Sequence, residues 1–286
     1  MGLAERGRGL VELTRPVNSI AAGVLTFIGS FVAIELTAGT AVDVWLRVAA
    51  AFVATVFATG AGNAINDYFD REIDRINAPE RPIPRGAVTP RAALWFSVGL
   101  FLLAVALALA VLPVLAIGIA VVNLLALVTY TEFFKGLPGV GNALVAYLGG
   151  STFLFGSAAV GAVGPTVVLF LLAALSTLSR EVIKDVEDVA GDREEGLNTL
   201  PIAIGERRSL AIAVGLLVVA AVASPLPYLT GVFGVAYIAV VVPADLLMLF
   251  AGYESLSDPA SGQARLKYGM FLAAAAFVVG RATTLV

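Results

Sequence analysis

The sequence predicts an all-α fold, a multi-pass membrane bundle of nine transmembrane helices, formed by one domain that covers residues 1–286. Two features of composition lead to this prediction. Hydrophobic residues make up 59% of the chain and charged residues only 14%, whereas about a quarter of the residues in a soluble domain are charged. Apolar runs of about 20 residues, the length that crosses a bilayer as a helix, also recur along nearly the whole chain.

Each span is placed by reading hydropathy over about 19 residues at a time. The predicted spans are 17–36, 44–65, 92–112, 113–131, 140–160, 164–183, 209–229, 231–250 and 267–286. The joins at Leu112-Pro113 and Thr230-Gly231 are the tightest, so there two spans follow each other almost directly. The first segment is too long for a signal peptide and lacks a clear small-residue cleavage site, so we interpret it as a permanent helix.

The basic residues are distributed asymmetrically. With nine spans, the N-terminus and the loops after spans 2, 4, 6 and 8 share one side of the membrane. Of the 18 Lys and Arg residues, only Arg47 and Arg281 lie away from that side. The positive-inside rule makes the basic side cytoplasmic. We therefore expect a protein of the cell membrane with its N-terminus and its active site facing the cytoplasm.

The composition also excludes several kinds of chemistry. The chain has no Cys and no His, so thiolate and imidazole metal ligands, Cys nucleophiles and His-based acid–base schemes are absent. Any bound metal must be held by oxygen atoms. The net charge of -3 provides no overall positive field, so nucleic acid is not an expected partner.

Two carboxylate motifs follow spans 2 and 6. In the first aspartate motif, residues 66–74, the carboxylates stand at i, i+3 and i+7; in the second aspartate motif, residues 185–192, the spacing is the same. On a helix this spacing puts them on one face, where they repel one another beside the negative end of the helix dipole. Cations must neutralise them. The six aspartates are Asp67, Asp70, Asp74, Asp185, Asp188 and Asp192.

Oxygen ligands select hard cations, and Mg²⁺ is commonly held by one or two carboxylates together with substrate phosphates. The two motifs are therefore interpreted as a clamp for a diphosphate bridged by Mg²⁺, with Asn66 as a further candidate metal ligand. Nearby cations could stabilise charge on a leaving phosphate. They are Arg71, Arg81, Arg85, Lys135, Arg180 and Lys184, of which Lys135, Arg180 and Lys184 are the leading candidates. Tyr130 lies close to the predicted mouth of the site.

These residues resemble a known family. The runs Asn66-Asp67-Tyr68-Phe69-Asp70-Arg71-Glu72-Ile73-Asp74, Arg81-Pro82-Ile83-Pro84 and Asp188-Val189-Ala190-Gly191-Asp192 are similar to the aspartate-rich signatures of the UbiA superfamily of intramembrane prenyltransferases. The resemblance implies a nine-helix bundle around a central cavity open to lipid, with two Mg²⁺ ions that bind an isoprenyl diphosphate. It implies metal ligation by Asn66, Asp70, Asp74, Asp188 and Asp192, with Asp67 and Asp185 adjacent.

Within this family, the stretches 179–188 and 196–201 resemble the archaeal members that move a geranylgeranyl group from geranylgeranyl diphosphate to geranylgeranylglyceryl phosphate, forming the second ether bond of archaeal lipids. Asp70, Asp188, Lys135 and Arg180 are then the candidate catalytic residues. Arg71, Arg81, Lys184 and Tyr130 are candidates for binding the diphosphate or the acceptor's phosphate. The expected partners are an isoprenyl diphosphate, a lipid acceptor and the membrane; the oligomeric state is left open.

Two alternatives remain at this point. Chlorophyll or bacteriochlorophyll synthases, or enzymes that prenylate quinone precursors, share much of the first motif and would use a different acceptor. An ion-coupled transporter belongs to another class altogether. Transporter sites lie near the middle of the bilayer, whereas the aspartates of both motifs lie at the cytoplasmic ends of the predicted spans. That placement favours the enzyme.

Overall fold

The computed structural model describes residues 2–34, 42–130, 134, 136–194 and 196–285, and its regular elements are helices. The helices, in chain order, are α1 Leu3–Leu13, α2 Pro16–Ala33, α3 Val42–Phe69, α4 Arg71–Asn77, α5 Pro90–Val111, α6 Val114–Thr129, α7 Val140–Ala159, α8 Val167–Glu187, α9 Val189–Glu194, α10 Leu200–Ile204, α11 Glu206–Ala223, α12 Leu226–Leu229, α13 Val235–Glu254 and α14 Pro259–Ala282. The all-α prediction is confirmed for the described residues.

Within the described residues, six helical stretches are long and apolar enough to cross a membrane. They are Pro16–Ala33, Asp43–Phe69, Pro90–Val111, Gly164–Glu187, Glu206–Leu229 and Val235–Glu254; the apolar α6 is shorter. Many large apolar side chains point away from the bundle, among them Trp95, Val114 and Leu229. A water-soluble protein would bury such a surface, so these side chains are suited to contact with lipid.

The helix boundaries differ from the predicted spans mainly near the end of the chain. The last helix begins at Pro259, well before the predicted span 267–286, because Asp258 caps it by accepting a hydrogen bond from the Ser261 amide (3.1 Å) and Pro259 occupies its first turn. The short α12 lies at the end of the predicted span 209–229, just before the predicted join at Thr230-Gly231. The tight join at Leu112-Pro113 is confirmed, since α5 ends at Val111 and α6 begins at Val114.

The long helices form two groups, which meet mainly where α7 packs against α8 and also through α2. In the first group α3 packs against α5 and α7 against α6; in the second, α8 packs against α11 and α13 against α14. Helix α2 contacts α3, α7 and α14, and α7 contacts α8. The two motif-bearing helices, α3 and α8, therefore belong to opposite groups and are both neighbours of α7.

The crossing of α2 and α7 is unusually close because glycines face each other there. A Cβ atom on Gly156 would lie 1.9 Å from the Thr26 carbonyl oxygen, and one on Gly29 would lie 2.3 Å from the Phe153 carbonyl oxygen. The close approach allows Ser30 Oγ to donate a hydrogen bond to the Gly156 carbonyl (2.8 Å). Small residues have the same use in membrane bundles generally.

The N-terminal helix α1 packs on the end of the bundle where Asp70 and Asp188 lie, which we call the motif end. Leu13 is fully buried against Ala64, Ile83 and Val88. Glu12 on α1 accepts a hydrogen bond from Arg85 in the loop before α5 (2.5 Å), and this bond is the main reason why the pKa of Glu12 lies below its usual value. Helix α1 therefore holds in place the loop that carries Arg81.

Candidate functional site

The two aspartate motifs have the same backbone geometry. Asp70 lies between α3 and α4 with φ −80° and ψ 2°, and Asp188 lies between α8 and α9 with φ −90° and ψ 2°. In both motifs the middle aspartate's amide bonds to the carbonyl four residues earlier, and its own carbonyl accepts from the aspartate four residues later, Asp74 or Asp192. Each long helix thus bends at its central aspartate and continues as a short helix.

In the first motif, arginines neutralise the two outer aspartates. Arg15 donates to Asp67 (2.7 Å), and Arg81 Nη1 contacts both carboxylate oxygens of Asp74 (2.7 Å each) and lies 3.7 Å from Asp67. Asp67 and Asp74 are buried. Burial by itself would lower the pKa of Arg81, but the hydrogen bond to Asp74 and the charges of the three motif aspartates outweigh burial and raise it.

In the second motif, polar side chains from other segments hold the outer aspartates. Asn142 on α7 donates to Asp185 (2.8 Å), and Thr199 donates to Asp192 (3.0 Å). Lys184 lies 3.4 Å from Asp188. In each motif the last aspartate is bound by a residue seven positions further on, Arg81 or Thr199, so the two motifs share the position of a supporting side chain as well as the aspartate spacing.

The two motifs face a common space next to Tyr130. The phenol of Tyr130, which follows the end of α6, lies within electrostatic range of Asp70 from the first motif and of Asp185 and Asp192 from the second. A shallow cavity of about 330 Å³ opens beside the second motif, lined by Glu187, Asp188, Gly191 and Asp192. Carboxylates from the opposite helix groups therefore lie near the same phenol, beside the space that the second motif lines.

The donor set of this space fits a hard cation. Among the described residues, no three acidic side chains are close enough together to form a ready-made metal cage. Mg²⁺ does not require one, because it usually binds one or two carboxylates and completes its coordination with water and substrate phosphates. The carboxylates of Asp70 and Asp188 and the further oxygens of Asn66 and Asp192 are of the type that Mg²⁺ prefers.

The predicted cations have different surroundings. Arg71 lies over the ring of Tyr68, 4.8 Å from its centroid, and donates to that residue's own carbonyl (2.8 Å). Arg180 pairs with Glu181 (2.8 Å) and donates to Gln263 (3.3 Å). Arg81 and Lys184 lie against motif aspartates, as given above. Lys135, predicted as a leading catalytic candidate, lies outside the described residues.

Three supporting residues were not recognised as part of the site from the sequence. They are Arg15, which binds Asp67, Asn142, which binds Asp185, and Gln263, which binds Arg180. The sequence offers one signal, at Asn142, because a polar side chain inside an apolar span needs a hydrogen-bonding partner. The left-handed backbone of Arg15 (φ 46°), immediately before Pro16 at the start of α2, is visible only in the structure.

Comparison with known proteins identifies the family. Residues 24–275 match the model of the UbiA prenyltransferase family. The digeranylgeranylglyceryl phosphate synthase of Natronomonas pharaonis is 64% identical over 97% of this chain and 98% of its own length, and that of Halobacterium salinarum is 61% identical over 98% and 99%.

Solved structures agree with this assignment. A structure described for digeranylgeranylglyceryl phosphate synthase in membranes superposes with a TM-score of 0.81 and 36% identity, covering 98% of this chain and 99% of that one. A UbiA homologue from Archaeoglobus fulgidus bound to GPP and Mg²⁺ shares the fold, with a TM-score of 0.73 and 19% identity over 97% and 100% of the two chains. The chain is a multi-pass membrane protein and belongs to the UbiA prenyltransferase family.

Proposed function

We propose that this protein transfers a geranylgeranyl group from geranylgeranyl diphosphate to the free hydroxyl of geranylgeranylglyceryl phosphate, forming the second ether bond of archaeal membrane lipids. Full-length relatives at 58% to 64% identity carry the name of this synthase. The observation on which the proposal mainly rests is the approach of both aspartate motifs to Tyr130. That arrangement suits a ligand with several negative oxygens, such as a diphosphate.

Mg²⁺ would be held by Asn66, Asp70 and Asp74 on one side and by Asp188 and Asp192 on the other, with Asp67 and Asp185 behind them. When bound, it supplies positive charge that stabilises the diphosphate as a leaving group. Lys184, which lies 3.4 Å from Asp188, adds positive charge at the same end of the bundle. The apolar interior between the helices excludes water from the allylic carbocation left on the substrate.

The acceptor's proton must leave without a histidine, because the chain contains none. A carboxylate of the motifs, the departing diphosphate or water can take it. The ion pairs with Arg15 and Arg81 hold the buried carboxylates of Asp67 and Asp74 in place before substrate arrives. The site is therefore arranged to bind Mg²⁺ together with the diphosphate.

Replacing Arg81 by glutamine is expected to have opposite effects on metal binding and on transfer. Arg81 donates hydrogen bonds to both carboxylate oxygens of Asp74. Without Arg81, that carboxylate becomes free to bind a metal ion. Mn²⁺, used in place of Mg²⁺, should bind the substrate-free variant about tenfold more tightly, equal to about 1.4 kcal/mol. Transfer should fall, because the variant loses a cation beside the diphosphate. Electron paramagnetic resonance measures the bound Mn²⁺.

The matched control for that change is Arg75→Gln. Arg75 is an exposed arginine on α4 that pairs with the exposed Glu72 (2.6 Å), and such surface pairs contribute little. Both Mn²⁺ affinity and transfer should stay at wild-type levels. Weaker Mn²⁺ binding in Arg81→Gln would show that Arg81 does not compete with the metal for Asp74.

We also propose that the nine long helices of the described part of the chain cross the membrane, with the N-terminus and the motif end in the cytoplasm; they are α2, α3, α5, α6, α7, α8, α11, α13 and α14. The excess of Lys and Arg at that end supports this orientation. Because the chain has no cysteine, single introduced cysteines can be used to determine this orientation. Ser257→Cys, between α13 and α14, should resist a membrane-impermeant maleimide in intact cells, whereas Thr230→Cys, after α12, should react. The reverse pattern would contradict the orientation.

The acceptor is tested by direct competition. Purified protein in lipid is incubated with geranylgeranyl diphosphate, Mg²⁺ and equal amounts of geranylgeranylglyceryl phosphate, a chlorophyllide and a quinone precursor, and the products are separated by mass. We expect the diether phosphate to be the main product. A prenylated chlorophyllide or quinone precursor as the main product would refute the proposed acceptor, and ion flux without any transfer would favour a transporter.

A further inference from the structure

Helix α14 presents one face to the interior of the bundle, and a polar group stands at the motif end of that face. Gln263, Met270 and Phe277 are spaced seven residues apart, so they lie on the same side of the helix. Met270 packs against the apolar cluster that includes Val182 of α8, and Phe277 packs on Phe153 of α7 with ring centroids 5.7 Å apart. Gln263 therefore extends an otherwise apolar inner face toward the site.

Gln263 and Glu181 both bind Arg180, and one N–H donor of Arg180 is left without a partner among the described residues. Arg180 Nη2 donates to the Gln263 carbonyl oxygen (3.3 Å), and Arg180 Nη1 pairs with Glu181 (2.8 Å). The Nε atom of Arg180 is buried and has no hydrogen-bonding partner among the described residues. A buried donor of a charged group is rarely left unpaired, so this N–H is available for an acceptor on a bound ligand.

The arrangement has the chemistry of a phosphate site. A guanidinium binds phosphate oxygens through directed N–H donors, and the amide nitrogen of Gln263 carries two more donors beside it. Glu181 compensates part of the charge of Arg180, and Lys184 adds positive charge one helical turn further along α8. A phosphomonoester has about −1.5 to −2 charges near pH 7, which this group can accommodate.

The pair of Arg180 and Gln263 lies beside the second aspartate motif and in a different helix group from the first. Arg180 lies on α8 eight residues before Asp188, and Gln263 lies on α14, whereas the first motif lies on α3. Glu181, next to Arg180 in sequence, is within electrostatic range of Tyr130, so the two places are adjacent. A ligand with its phosphate at Arg180 can therefore present a hydroxyl toward the space between the motifs.

We propose that Arg180 and Gln263 bind the phosphomonoester of the lipid acceptor, and that Gln263 is a specificity-determining residue that selects phosphorylated over phosphate-free acceptors. This inference rests on the proposed function, because it assigns a place to one of its two substrates. It gives Arg180 a role in acceptor binding, in contrast to the expectation that Arg180 stabilises the leaving diphosphate.

The test compares wild type with Gln263→Leu in lipid. Loss of one hydrogen bond to a charged group corresponds to about tenfold in binding. We expect the KM for geranylgeranylglyceryl phosphate to rise about tenfold and the KM for geranylgeranyl diphosphate to stay within about twofold of wild type. The preference for the phosphorylated acceptor over geranylgeranylglycerol should fall by a similar factor. Lys267→Gln, an exposed change one turn along α14, should alter none of these values.

A binding measurement keeps this inference separate from the proposed function. The dissociation constant of geranylgeranylglyceryl phosphate is measured without diphosphate, and it should be about tenfold weaker in Gln263→Leu. Equal binding in both proteins, or a parallel rise in both KM values, would overturn the role of Gln263. Absence of transfer in the wild-type protein, with tight and Gln263-dependent binding, would overturn the proposed reaction and leave the phosphate site standing.

Discussion

Replacing either Asp70 or Asp188 by asparagine should lower Mg²⁺-dependent transfer by at least about a thousandfold, equivalent to about 4 kcal/mol of transition-state stabilisation. These residues occupy the matching bends of the two motifs. Asparagine keeps the shape of the side chain and removes its charge, so the fold should persist while the cation loses a ligand. Initial rates of product formation from geranylgeranyl diphosphate measure the effect.

Glu194→Gln is the matched control for this pair. Glu194 is an exposed acid at the end of α9, close to Asp192 in the chain, so its substitution removes one negative charge near the site without touching the motif bends. Its rate should remain within about twofold of wild type, since screened surface charges act weakly. Near-wild-type transfer in either Asp70→Asn or Asp188→Asn would contradict a shared site.

The largest effect on stability is expected at the crossing of α2 and α7. In Gly156→Ala the new Cβ would lie 1.9 Å from the Thr26 carbonyl oxygen and 2.9 Å from the Ser30 amide nitrogen. Both are backbone atoms, which cannot rotate away, so the helices must separate and lose the Ser30 to Gly156 hydrogen bond. We expect a loss of about 3 kcal/mol or more in the free energy of unfolding, measured by denaturation in detergent.

Gly118→Ala tests the same chemical change without the close contact. Gly118 lies inside α6, and a Cβ atom there would meet nothing within 4 Å. Because alanine favours a helix more than glycine does, this variant should be as stable as wild type or more stable by up to about 1 kcal/mol. If Gly156→Ala and Gly118→Ala had the same free energy of unfolding, helix propensity and not the α2–α7 contact would determine the effect of the substitution on stability.

The sequence was sufficient to predict the helical membrane class and the two motifs because these depend on local patterns. Hydropathy over a span length requires no knowledge of neighbouring helices, and the spacing of Asp67, Asp70 and Asp74 is visible directly in the sequence. The bends at Asp70 and Asp188 were not predicted. Nothing in the residue types interrupts the helix there, since both bends keep the hydrogen bonds of the helical backbone.

The supporting contacts depend on residues far apart in the chain. Arg15 meets Asp67 across 52 positions, Asn142 meets Asp185 across 43, and Gln263 meets Arg180 across 83. One sequence gives no indication of which polar residue in one helix will face which residue in another. The charges could therefore be assigned to one end of the bundle, but their pairing required the structure.

The claim that the two motifs form one diphosphate site is tested most directly by metal binding with an unreactive substrate analogue. Mn²⁺ binding to wild type, Asp70→Asn, Asp188→Asn and the double variant is measured with geranylgeranyl thiodiphosphate present. We expect about two Mn²⁺ ions per wild-type chain, as in other two-metal sites. The loss of Mn²⁺ affinity in the double variant should be no greater than in either single variant. Independent, additive losses, or full analogue binding without one motif, would contradict the shared site.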